Sequence, residues 1–233
     1  MSEDKIKYKR ILLKLSGEIL GDDSEVLSSK VLKYTAEQIC SVQELGVKVG
    51  IVIGGGNIIR GRNVDWFDRI DADYCGMVST VVNGIALYSC LRKRSVYLRG
   101  SFEVGGMVKK FDKFEDGRLY DNGGLLILVG GTGNPTVSTD TAAAIRAAEL
   151  SVDILIKGTN VEGVYTADPK KDKNARLLNS VSYEEAIRNN LNVMDIIAFK
   201  ICQELGIKIY VYNFLKYPLK DIILGKSIGT IVG

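Results

Sequence analysis

The 233-residue chain contains no histidine and carries a formal net charge of only +3. The missing imidazole excludes Ser-His-Asp and Cys-His hydrolysis, His-ligated metals and phosphohistidine chemistry. The basic runs at 92–94, 109–110 and 170–171 are short and scattered, so no nucleic-acid partner is expected.

Apolar residues make up 46% and charged residues 25%, a composition that fits a globular protein of one large α/β domain or two small ones. No run reaches the roughly 18 apolar residues of a membrane span, and the polar start Met1-Ser2-Glu3-Asp4-Lys5 lacks a signal-peptide core. Cys40, Cys75, Cys90 and Cys202 form no C-x-x-C pair and read as reduced, mostly buried thiols. A cytoplasmic protein without a membrane partner is expected.

Residues 11–15 read as a strand that ends in a Ser16-Gly17 turn. Lys14 sits inside this apolar run, where it either snorkels to the surface or points at a phosphate beyond the strand end. Residues 26–45 repeat apolar positions at helical spacing, and Gly46 closes the helix. Residues 47–53 are a β-branched run suited to a buried parallel strand. They lead into Gly54-Gly55-Gly56-Asn57 and a helix-like segment. Such a turn aims backbone N–H groups at an anion, most simply a phosphate; the plainer reading is a tight turn without a ligand.

Residues 71–91 read as an apolar helix with Asp73 near its start, either answering the helix dipole or accepting hydrogen bonds from ligand hydroxyls. Residues 96–98 form a short strand, and 101–122 show no clear period. Residues 125–129 are a strongly apolar strand followed by Gly130-Gly131-Thr132-Gly133-Asn134-Pro135 and an Ala-rich helix over 141–150. Ser138-Thr139-Asp140 suits a helix N-cap, yet the hydroxyls crowded here exceed what a cap needs. Residues 152–156 are a further strand, followed by Lys157-Gly158-Thr159-Asn160. Short helices follow at 182–190 and up to 205, then strands at 207–213 and 228–232. The alternation predicts a mainly parallel sheet covered on both faces.

Glycine turns are thus expected after four strands, at 15–17, 53–57, 129–133 and 156–158, two of them with lysines. Neither a P-loop signature nor a dinucleotide fingerprint is present. Phosphoryl transfer needs positioning and positive charge more than covalent help. Lys14, Lys157, several N–H nests and Asp140 can supply both without histidine.

Six ordered motifs carry a resemblance. They are KRILLKLSGE at 9–18, GIVIGGGNIIRG at 50–61, Asp73 followed by CGM and TVVNG, GTGNP at 131–135 with Thr139-Asp140, VEGVYTADP at 161–169, and VMD at 193–195. Over residues 8–232 the chain resembles the bacterial uridylate (UMP) kinases of the amino acid kinase superfamily. The resemblance implies one αβα three-layer sandwich over residues 1–233, with a mainly parallel central sheet. The N-terminal half would hold mainly the acceptor and the C-terminal half mainly ATP.

It further implies transfer of the ATP γ-phosphate to UMP with Mg²⁺, in pyrimidine nucleotide biosynthesis. Lys14, Lys157 and Asp140 would be catalytic. Lys14, Leu15, Ser16, Gly17, Gly56, Arg60, Thr159, Tyr165 and Asp168 would bind ATP. Gly55, Asp73, Thr132, Gly133, Asn134, Pro135, Thr136, Val137, Ser138 and Thr139 would bind UMP. No direct protein ligand of the metal is implied. A homohexamer, UTP as inhibitor and GTP as effector are implied as well. Two segments depart from the family pattern, 19–27, which lacks G-F-G-I-D, and 92–103, with its Arg92-Lys93-Arg94. A carbamate or carboxylate kinase fits less well, because a small acceptor needs no ribose contact from Asp73 and GTGNP. A nucleotide sensor without turnover fits less well too, because pure binding needs no paired lysines.

Overall fold

The computed structural model describes residues 5–22, 24–59, 66, 68–167, 169, 172–189, 191 and 193–233. In chain order the strands are β1 Arg10–Leu15, β2 Lys48–Ile53, β3 Val96–Gly100, β4 Lys109–Lys110, β5 Leu125–Val129, β6 Ile154–Thr159, β7 Ser180–Val181, β8 Lys208–Asn213 and β9 Thr230–Val232. The helices are α1 Ser29–Gln43, α2 Arg69–Leu91, α3 Lys113–Asp121, α4 Thr139–Glu149, α5 Tyr183–Arg188, α6 Ile196–Glu204 and α7 Leu219–Ile223. A 3-10 helix spans Gly17–Leu20.

Among the described residues the strands form one nine-stranded sheet in the order β4-β3-β5-β2-β1-β6-β8-β9-β7. Every pairing is parallel except β8 with β9. Side chains on a strand alternate between faces, and the core divides accordingly. Ile11, Leu13 and Leu15 of β1 pack with Ile39 of α1, Val81 of α2 and Ile222 of α7. Leu12 faces the other way, with Ala144 and Ala147 of α4, Tyr183 of α5 and Phe199 of α6. The result is the expected three-layer α/β arrangement. Strand order reverses on the two sides of β1, and in such sheets ligands bind outside the strand carboxyl ends at that point.

Several local expectations are corrected. The first helix begins at Ser29 rather than residue 26. Among the described residues no helix directly follows the triple glycine: Ile58 and Ile59 N–H both bond the Gly55 carbonyl in a turn, and α2 starts at Arg69, capped by Asp68. Residues 101–122 hold β4 and α3, the latter capped by Asp112. The turn expected at 156–158 is instead the second half of β6. Gly158 serves packing there, since a Cβ would stand 2.7 Å from Leu15 Cδ2 and 3.1 Å from Phe214 Cβ. Cys202 is buried, but Cys75 and Cys90 are exposed on the outer side of α2 and Cys40 is half-buried.

Among the described residues α2 is the one helix long and apolar enough to cross a membrane. Its inner face covers the sheet through Val81, Leu87 and Leu91, as a core helix does.

Candidate active site

The site is built by register. Lys14 of β1 pairs with Lys157 of β6 as direct neighbours in the parallel ladder. Each lies two residues beyond a leucine, Leu12 or Leu155, that faces the α4 layer, so both ammonium stems leave the sheet on that side. Ser138 caps α4 by accepting from the Asp140 and Thr141 N–H groups. With the cap supplied by Ser138, the Asp140 carboxylate is left to meet the lysines. Its Oδ1 stands 2.8 Å from Lys14 Nζ and its Oδ2 2.8 Å from Lys157 Nζ. Lys157 also donates to the Val193 carbonyl.

The electrostatics follow from this triad. Burial on its own would raise the Asp140 carboxyl, but the two ammonium groups outweigh it and hold the carboxyl well below the usual carboxylate range. Burial, with the Lys14 charge beside it, pushes Lys157 down to about 8 against the opposing pull of Asp140. Lys14 is only 7% exposed. Within the triad two cations face one anion, with Asp195 a further negative charge near Lys157.

Around this triad the glycine turns close in. Gly54 N–H donates to the Leu15 carbonyl at 2.9 Å, which brings the first two turns together. A Cβ on Gly17 would stand 2.7 Å from the Gly54 carbonyl oxygen and 2.8 Å from the Gly56 nitrogen, so only glycine allows the approach. Helix α2 braces two turns from behind. Buried Asn83 donates to the Gly54 carbonyl and to Asn57 Oδ1, each at 2.7 Å. Thr80 Oγ1 accepts from Gly130 N–H at 2.6 Å. Asp73, on the same helix, accepts from Arg69 Nε at 3.0 Å and from Thr136 N–H at 2.9 Å. Thr136 takes a left-handed φ of 67°, unusual for a β-branched residue, and the Asp73 contact holds it there.

Two clefts open from the triad. One of about 540 Å³ runs between the triple-glycine turn, α2 and residues 131–140. The other, about 650 Å³, runs over β6 toward residues 193–195. Lys14, Ser16, Ser138 and Asp140 line both, and Lys157 lines the second.

Of the residues singled out in the sequence, Gly17, Gly55, Gly56, Asp73, Asn134, Thr136, Val137 and Thr139 line the first cleft. Thr159 lines the second. Thr132, Gly133 and Pro135 belong to the same loop without lining either cleft. The Leu15 side chain is fully buried in the core, so only its backbone can meet a ligand. Tyr165 pairs with Leu177 in an isolated bridge and lines neither cleft. Arg60 and Asp168 lie outside the described residues.

Sequence reasoning missed Arg69, Thr80 and Asp195 as contributors. Arg69 lies one helical turn before Asp73, a spacing that could have signalled the pair. Among the described residues no group of three or more His, Cys, Asp or Glu side chains could hold a metal ion.

The model of the amino acid kinase family matches residues 9–213. The chain belongs to the amino acid kinase family. Among solved structures it is similar to the UMP kinase from Bacillus anthracis, at 34% identity and a TM-score of 0.93, covering 97% of this chain and 96% of that one. It is similar to the UMP kinase from Ureaplasma parvum, also at 34% identity, with a TM-score of 0.90 and coverage of 98% and 100%. The uridylate kinase from Archaeoglobus fulgidus shares 27% identity at a TM-score of 0.73, with coverage of 96% and 99%. As a member of a kinase family, this chain presents what phosphoryl transfer requires: backbone N–H groups for phosphates, and fixed positive charge where two substrate clefts meet.

Proposed function

We infer that this chain is a UMP kinase, transferring the γ-phosphate of ATP to UMP to give UDP and ADP. The observation that carries the reading is Asp140 bridging Lys14 and Lys157 where two clefts join. One cleft then takes the donor and the other the acceptor, and the phosphoryl group crosses between them. Lys14 and Lys157 stabilise charge on the transferred group, and Asp140 fixes their positions. Ser16, which lines both clefts, and Gly17 and Gly56, which line the first, hold donor phosphates through backbone N–H groups where the clefts join, with Arg60 adding positive charge. Leu15, Thr159, Tyr165 and Asp168 complete the ATP side.

On the acceptor side Gly55 and residues 132–139 surround UMP, with Asp73 on the ribose hydroxyls. Asp73 would then exchange its Thr136 contact for ligand contacts as the loop settles on the nucleotide. Asp140 is already occupied by two lysines, so Mg²⁺ fits as an ion carried on the ATP phosphates, where it neutralises charge.

Residues 1–233 act as one unit, the N-terminal half serving chiefly UMP and the C-terminal half chiefly ATP. The enzyme works in the cytoplasm, in pyrimidine nucleotide biosynthesis, as a homohexamer inhibited by UTP and with GTP as effector. In support of assembly, the outer side of α2 exposes Ile70, Tyr74, Val78 and Val82 in a stripe at helical spacing. The test is ADP release from Mg·ATP with UMP, CMP, dUMP or carbamate as acceptor, with and without GTP and UTP. Turnover confined to UMP is the expected result. Nucleotide binding without turnover on any acceptor would overturn it.

A further inference from the structure

Asp195 lies outside the catalytic triad yet is tied to it from two directions. It caps α6 by accepting from Ala198 N–H at 2.8 Å. The same carboxylate accepts from Ser138 Oγ and, at 2.9 Å on each oxygen, from Thr141 Oγ1. Ser138 and Thr141 bracket Asp140 at the start of α4, and Ser138 Oγ also accepts the Asp140 N–H at 3.0 Å. Two residues before Asp195, the Val193 carbonyl accepts from Lys157 Nζ. A helix cap needs one carboxylate oxygen and one N–H. Here the second oxygen and two hydroxyls bind the N-termini of two helices together.

We propose that Asp195 is a positioning residue for phosphoryl transfer. By clamping Ser138 and Thr141 it sets the first turn of α4, and so holds Asp140 and Lys157 where the two clefts meet. The clamp also spans the substrates. Residues 136–138 are held on the acceptor side by Asp73 through Thr136 N–H and on the donor side by Asp195 through Ser138. The inference rests on the kinase reading above, because a pure binder has no transfer point to align.

The charged groups facing Lys157 are Lys14 from β1, Asp140 from α4 and Asp195 ahead of α6, while its β8 partner, Val211, carries no charge. Glu18 of the 3-10 helix lines the same cleft. Asp195→Asn keeps a good cap but removes one negative charge and one of the two carboxylate oxygens. It is expected to lower kcat by about 100-fold, the cost of about 1 Å of misplacement at a reacting centre. The KM values for UMP and ATP should stay within about threefold, because the loss falls on the transition state. The alkaline limb of the kcat profile should move down by about one pH unit, as loss of a neighbouring charge implies. Thr141→Val should lower kcat in the same sense, and the double variant should lose little more than Asp195→Asn alone, because both break one clamp.

The experiment measures wild type first, then the three variants, with thermal unfolding alongside. A lowered melting temperature with kcat and the alkaline limb unchanged would reduce Asp195 to a cap and overturn the proposal. A raised ATP KM at unchanged kcat would make it a nucleotide contact and overturn it equally. If wild type fails to turn over UMP, the kinase reading falls by itself. NMR titration of the Lys157 ammonium, assigned with Lys157→Arg, then decides the positioning claim. An unchanged titration in Asp195→Asn would refute it.

Discussion

Asp140→Asn isolates what the triad contributes, since it keeps the shape of the side chain and removes only its charge. Each lysine contact is 2.8 Å long. At an effective dielectric of about 20, each is worth about 6 kcal/mol of Coulomb attraction, most of which offsets the desolvation of the ions. Removing one partner of a buried ion pair costs about 3–5 kcal/mol, because the remaining charge is left buried and uncompensated. For a chain of this size that is a fall in melting temperature of about 6–20 °C. The variant limits its loss by releasing a proton from Lys157, the lysine already pushed down to about 8. Deprotonated Lys157 cannot stabilise the transferred phosphoryl group, so kcat should fall by at least about 100-fold, within the range of losses from electrostatic groups at a transition state. Thermal unfolding and coupled ADP release read the two effects on one preparation. A variant that keeps kcat within about fivefold would refute the placement of transfer at Asp140, whatever its stability.

The titration of Lys157 predicts opposite trends for stability and activity at alkaline pH. Lys157 titrates near 8 folded and near its ordinary 10.5 unfolded. Its burial therefore opposes folding fully below pH 8, and the opposition fades as pH rises from 8 toward 10.5. Stability measured by urea unfolding should gain this contribution over the window in which kcat declines. Asp140 works the other way: held low by the lysines, it stabilises the fold above the usual carboxylate range and ceases to as pH falls below it. Asp140→Asn should therefore flatten the acid limb of the stability profile. Asp73→Ala should raise the UMP KM by about tenfold or more, the scale of a lost charge-assisted hydrogen bond, with kcat little changed in steady-state assays. Asn83→Ala leaves the buried Gly54 carbonyl without its 2.7 Å donor and should cost about 1–3 kcal/mol in chemical denaturation.

Seven of the nine described strands were legible as apolar runs with a glycine near one end, and α4 from its alanines, but the two-residue β4 (Lys109–Lys110) and β7 (Ser180–Val181) carry no such signal. Lys14, Lys157 and Asp140 stood out as polar groups at the ends of such runs. That the two lysines converge with Asp140 is legible from their strand-end positions and the family resemblance, whereas their side-by-side pairing depends on the β1–β6 register, across more than half the chain. The end of β6 was misplaced because Gly158 reads locally as a turn, whereas its lack of a Cβ lets Leu15 and Phe214 pack across the strand. Asp195 caps α6, a local role at the start of that helix. Its second set of partners lies more than fifty residues away in α4 and has no local signature.

The Lys14–Lys157 register also ties this chemistry to correct assembly of the sheet. A slip of β1 by one residue would turn Lys14 to the opposite layer and carry Leu13 or Leu15 to the α4 side. Such a molecule would have no intermediate rate; it would be inert. Specific activity in a refolded sample therefore counts molecules, reporting the fraction with β1 seated in its native row.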